Sequence, residues 1–141
     1  MLAMYRSGSW LYGECPRRLA PLAKLIWRPC NAVVAALFDT HLSIGAEIGP
    51  GLYIGHYGGI WVNPAATVGE NCNIAQGVVI GVAGAGQQGR APTIGDRVWI
   101  GPHAVITGPV RVGNDSVVGA NTLVVADVPE SSLVVGVPSK L

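Results

Sequence analysis

Residues 94–124 read IGDRVW-IGPHAV-ITGPVR-VGNDSV-VGANTL-V, and their beat of six decides the fold. Every block opens on an aliphatic residue: Ile94, Ile100, Ile106, Val112, Val118 and Val124. The same beat runs upstream through Leu42, Ile48 and Ile54, then Val62, Val68, Ile74 and Ile80. Gly often follows the aliphatic residue, as at 49, 55, 69, 81, 95, 101, 113 and 119. Neither a helical period nor strand alternation alone generates this pattern, whereas a chain turning through three short flat sides does. Three hexads close one triangular coil, and each coil advances by about 4.8 Å, the spacing of parallel strands.

The repeat predicts short strands such as Cys72–Ile74, Val78–Ile80 and Val98–Ile100 along the sides. Its inward positions are Ala66, Cys72, Val78, Val98, Ala104, Val110, Ser116 and Thr122. No coil buries its own core, so stacking must do so and the ends need caps. Residues 1–40 read as a short helical cap broken by Pro16, Pro21 and Pro29, with helices over about 17–27 and 30–38. Residues 41–141 form the solenoid domain.

The beat breaks twice. Ile54 to Val62 carries a two-residue excess just after His56. Ile80 to Ile94 carries an eight-residue excess, read as a Gly-rich flap over 82–92. Excursions from a rigid solenoid are where chemistry is expected.

Composition narrows the function classes. Of 141 residues, 50% are hydrophobic and only 12% charged. A solvated monomer carries about a quarter charged residues on its surface, so part of this surface is expected to lie against copies of the chain. The net charge is +1 with no basic cluster beyond Arg17-Arg18, which argues against nucleic-acid binding. Cys15, Cys30 and Cys72 have no metal-like spacing, which fits buried or free thiols in a reducing, cytoplasmic compartment. The apolar run Asn31–Phe38 is far short of the ~20 residues that cross a bilayer. Membrane association is therefore not expected, and Trp10, Trp27 and Arg28 are the candidates for a membrane edge.

Few residues are equipped for catalysis. His56 precedes Tyr57-Gly58-Gly59 at the first break, where an exposed imidazole takes a proton at neutral pH. His103 holds an outward position on a later coil, and His41 lies at the cap boundary. The histidines have no zinc-like pairing. Ser116 and Ser132 lack the Gly-x-Ser-x-Gly setting of a covalent nucleophile.

The hexads, the stretch GHYGGIWVNPAATVGENCNIAQGVVIG (55–81), the segment GRAPTIGDRVWIGPHAVITGPVRVGNDSVVGANTLVVADVPESSLVVGVPSK (89–140) and the flap between them resemble the hexapeptide-repeat acyltransferases. Within that superfamily they are most similar to the serine O-acetyltransferases and related polysaccharide or metabolite O-acetyltransferases. The resemblance implies a left-handed parallel β-helix, an all-β solenoid, assembled as a homotrimer. It implies acetyl-CoA as co-substrate in the groove between subunits, with no permanently bound cofactor. His56 matches the catalytic general base, and Arg90 matches the flap arginine that grips an amino-acid carboxylate. Tyr57 and Asp39 are further candidate acceptor contacts. Gly84, Gly101, Ala104, Gly119 and Ala120 are candidate coenzyme A contacts, and Lys140 matches a basic position near its phosphates.

The departures from the serine enzymes are specific. Gly55 stands where they carry Asp, and Ala91 where they carry His. The carboxylate that orients the histidine aligns with His41, leaving Asp39 or Glu47 as substitutes. Generic O-acetylation of a hydroxyl is thus the leading expectation, with serine acetylation as the alternative. N-acetylation of an amino sugar and a non-catalytic trimeric scaffold are the remaining rivals.

Overall fold

The computed structural model describes residues 1–84 and 90–139. It is a left-handed parallel β-helix with a helical cap at its N-terminal end. Three parallel sheets form the faces of a prism. Face A stacks Thr40–Leu42, Ile60–Val62, Val79–Gly81, Val105–Thr107 and Leu123–Val124. Face B stacks Glu47–Ile48, Thr67–Val68, Thr93–Ile94 and Arg111–Val112. Face C stacks Tyr53–Ile54, Asn73–Ile74, Trp99–Ile100, Val117–Val118 and Leu133–Val134.

The aliphatic beat lies inside. Ile60, Ile74, Ile100, Ile106, Val112, Val118 and Val124 are fully buried, and so are Cys72, Val78, Val98, Ala104 and Ser116. Burying a side chain of that size contributes about 1.5–3 kcal/mol. The inward residue sits at the bend before each strand, so the strands begin one residue later than the sequence suggests, at Asn73, Val79 and Trp99. The Ser116 hydroxyl is satisfied in the core by donating to the Pro129 carbonyl at 2.8 Å.

Register shows where the surplus residues go. On face B, Ile48 pairs with Val68, Val68 with Ile94 and Ile94 with Val112, steps of 20, 26 and 18. Both excesses leave at corners, and the next strand re-enters in register. Near the C-terminal end the beat contracts: Val128 bridges Val112 and Val134 pairs with Val118, steps of 16.

The cap differs from the sequence expectation. Helix α1 (Leu2–Gly13) precedes the Pro-rich stretch, and α2 (Ala20–Phe38) runs unbroken through Pro29. Pro29 leaves the Leu25 carbonyl without its helical donor, but Leu25 is 71% exposed and water can serve it. Pro21 sits in the first turn, where a missing N–H costs nothing. The helices cross closely because a Cβ at Gly8 would strike the Trp27 ring, whose Nε1 donates to Ser7 Oγ at 3.0 Å. Helix α1 covers the first coil: Tyr5 is buried, with its hydroxyl on the Ala46 carbonyl at 2.6 Å.

Candidate active site

His56 lies at the prism edge where face C turns into face A. Ile54 pairs with Ile74 and Val62 with Ile80, so this corner spans eight residues against six in the coil above. The surplus forms a bulge with positive φ at Gly58 (114°) and Gly59 (66°), which L side chains rarely adopt. The bulge is fastened to the end of α2. Gly59 N–H donates to Asp39 Oδ2 at 2.8 Å, Gly58 N–H to Thr40 Oγ1 at 3.4 Å, and Gly77 N–H to the Gly58 carbonyl at 2.7 Å. The Tyr57 ring meets Phe38 edge-on at 4.9 Å. His56 is thus an exposed imidazole on a fixed backbone.

Asp39 stands against this bulge. Its Oδ2 braces the bulge, and its Oδ1 stands 3.8 Å from His41 Nε2. His41 stacks on Trp61, with centroids 3.8 Å apart and planes 20° apart. Glu47 points outward from face B and leaves the His56 edge without a carboxylate from that source. Among the described residues, no side chain of the same protomer hydrogen-bonds the His56 imidazole.

The same edge continues upward through Gln76, His103 and Asn121. His103 N–H donates to the Gln76 carbonyl at 2.9 Å, and its ring lies over Gly77, where a Cβ would collide with it. Gln76 Oε1 is buried without a hydrogen-bond partner among the described residues. Sequence reasoning passed over Gln76, whose signal was its place at the corner below His103.

The small residues expected along a coenzyme A path divide. A Cβ on Gly101 would stand 2.8 Å from Ala120 N, and one on Gly119 2.8 Å from Val135 Cγ1, so close stacking of coils accounts for both glycines. Ala104 is fully buried in the core, which removes its side chain from any surface groove. Ala120 is exposed at the edge.

The flap leaves from a different edge, between Val79–Gly81 of face A and Thr93–Ile94 of face B. Arg90 is exposed there, and Gly84 has φ +74° with no described atom within 4 Å of where a Cβ would stand. Residues 85–89 of the flap, and Lys140, lie outside the described residues. His56 and Arg90 therefore leave the prism at two different edges, on either side of face A.

The third edge, between faces B and C, is stitched shut. Arg97 clasps Asp115 through two hydrogen bonds of 2.7 and 2.8 Å, which hold the Asp115 carboxyl below its ordinary range. Cys72 is buried beside that edge, and burial pushes its thiol up, keeping it neutral. Among the described residues no group of three or more His, Cys, Asp or Glu converges on a metal position.

The outward rows also differ between faces. Face B presents Glu47, Thr67, Thr93 and Arg111, whereas face C presents Tyr53, Asn73, Trp99, Val117 and Leu133. Tyr53 and Leu133 are each 61% exposed, which leaves face C with an apolar surface.

Known proteins share this architecture. A family model for the bacterial transferase hexapeptide (six repeats) matches residues 91–126. A serine acetyltransferase of Mycobacterium tuberculosis is 39% identical over 137 residues, covering 97% of this chain and 57% of the relative. The structure of a soybean serine acetyltransferase complexed with serine superimposes with a TM-score of 0.83 at 33% identity, over 98% of this chain and 54% of that one. The structure of a Neisseria gonorrhoeae serine acetyltransferase in complex with serine gives 0.80 at 34% identity, over 99% and 54%. The chain thus spans about half the length of the relatives it matches.

Proposed function

We propose that this chain, which belongs to the hexapeptide-repeat acyltransferase superfamily and is closely related to the serine O-acetyltransferases, transfers an acetyl group from acetyl-CoA to the hydroxyl of a small neutral acceptor. The observation that carries this reading is the exposed His56 held on a braced bulge at the edge of an acyltransferase solenoid. In the reaction His56 takes the acceptor proton as the hydroxyl oxygen attacks the thioester carbonyl carbon. The tetrahedral intermediate then collapses with loss of the coenzyme A thiolate, which recovers the proton from the imidazolium. Backbone N–H groups or a neighbouring side chain meet the oxyanion, Gly58 and Gly59 N–H being engaged with Thr40 and Asp39.

The working unit in this reading is a homotrimer in the cytoplasm. Its support is the separation of His56 from Arg90 on two edges, which makes a site of both residues only where neighbouring subunits meet, together with the exposed apolar row on face C. Acetyl-CoA lies in that intersubunit groove as a co-substrate, with the exposed Ala120 beside it and Gly84 and Lys140 as contacts from the flap and the C-terminal end.

A neutral acceptor, such as a sugar or other alcohol, is preferred because Gly55 and Ala91 remove two polar partners for a zwitterion. An ammonium buried without a partner is costly. Serine acetylation is the second reading, favoured by the relatives and by Arg90, which suits a carboxylate.

The test is thiol release at saturating acetyl-CoA with L-serine, homoserine and a panel of sugars. Neutral acceptors are expected to give the higher kcat/KM. Efficient L-serine turnover at millimolar concentration would move the assignment to the second reading. Absence of coenzyme A binding by calorimetry would instead indicate a scaffold.

A further inference from the structure

The cap carries a feature that acetyl transfer does not use. Helix α2 has no buried residue, and a row of its aliphatic side chains points to solvent: Leu22 65%, Leu25 71%, Ile26 62%, Val33 58% and Leu37 75% exposed. With Pro29 and Ala36, these residues occupy an arc of about 120° at 100° per residue. The stripe runs along a helix ~28 Å long. Lys24 and Arg28 lie off the arc, Lys24 with its Nζ 4.2 Å from the Tyr12 ring centroid. Trp10, 52% exposed, and Leu19, 62% exposed, extend the apolar surface around the cap.

Charge identifies the occupant. From Cys15 to Phe38 the chain carries Arg17, Arg18, Lys24 and Arg28 and no Asp or Glu. A second copy laid stripe to stripe on this helix would set cations against cations, with no acid in the segment to pair them. An anionic lipid surface complements both properties, receiving the apolar face while its headgroups meet the exposed Arg17, Arg18 and Arg28. No described helix is long and apolar enough to cross a membrane, so the geometry is that of a helix lying in the interface.

We propose that α2 seats its Leu22–Leu37 face on an anionic lipid surface, holding the solenoid at the membrane without spanning it. This departs from the sequence expectation of no membrane association, in which Trp10, Trp27 and Arg28 were the candidates for a membrane edge. The inference goes beyond the acetyl-transfer reading and does not depend on the acceptor.

The experiment is flotation of the full chain with vesicles of phosphatidylcholine, with and without phosphatidylglycerol. Co-flotation with the phosphatidylglycerol vesicles at low salt is expected, falling at least about tenfold for phosphatidylcholine alone or at high salt. The double variant Leu25→Glu/Ile26→Glu should lose flotation while keeping its melting temperature, since both residues are exposed. Replacing Arg17, Arg18 and Arg28 with Gln should weaken flotation only for the anionic vesicles. Failure of the wild-type chain to float with phosphatidylglycerol vesicles would overturn the proposal, as would unchanged flotation of the Glu variant. Light scattering that shows the Glu variant as a smaller assembly would also overturn it, assigning the stripe to contacts between copies.

Discussion

Two edges of the prism are built from the same hexads and behave differently. Between faces B and C, side chains close the corners: Asn114 Oδ1 accepts from Asp96 N–H at 2.8 Å, Asp96 Oδ1 accepts from Glu70 N–H at 2.8 Å, and Arg97 clasps Asp115. Between faces C and A, the corner is two residues longer, its glycines are pinned from outside by Asp39 and Thr40, and His56 is left free. A solenoid corner whose polar side chains are tied to its own backbone is structural. A corner braced from elsewhere has a side chain available for a ligand. Depth does not single out the open edge: a concavity of about 930 Å³ between α1 and face B, lined by Arg6 and Tyr12, has neither His56 nor Arg90 among its described lining residues.

The sharpest way to break the comparison is at the open edge. His56→Ala should lower kcat by roughly 10²–10⁴-fold, with coenzyme A affinity and melting temperature near those of the parent. Steady-state kinetics beside calorimetry measures both, and a variant retaining most of its turnover would remove His56 from the chemistry.

A second test asks whether the two breaks in the beat serve one site across a subunit boundary. Chains carrying His56→Ala and chains carrying Arg90→Ala, unfolded together and refolded as mixed trimers, should regain activity. For equal mixing about a quarter of the sites receive one intact residue from each neighbour. Activity no higher than the mean of the separate variants would place both residues in the service of one protomer.

The smallest effect belongs to the closed edge. Asn114→Ala removes the acceptor of Asp96 N–H and should cost about 0.5–1.5 kcal/mol of stability in a denaturant titration, with kcat unchanged. A loss of turnover without a loss of stability would mean that this edge, too, carries function.

Legibility followed the same division. The faces were readable because Ile74, Ile100 and Val118 are buried by the repeat itself, and burial imposes a residue type every six positions. The corners were readable only where they interrupt that rule, as at His56. The bracing contact of Asp39 is not legible in the sequence because its partner, Gly59, is 20 residues away and meets it only after the first coil closes. Helix α1 escaped notice because Ser7-Gly8-Ser9 is a poor helix-forming run, and it is the Trp27 contact that explains Gly8. The glycines at 101 and 119 were read toward a ligand, although the neighbouring coil already demands them.

The unequal steps between paired strands, 20, 26 and 18 along face B, have a consequence for inheritance. A one-residue deletion or insertion inside an ordinary strand shifts every side chain beyond it to the wrong surface. Here a length change at a corner is absorbed before the next strand begins, so Val68 and Ile94 still meet across the flap. Mutation can therefore rewrite a corner loop while the core keeps its residues and its register. Under the proposed function, acceptor preference and stability would be separately heritable, because a corner can change alone.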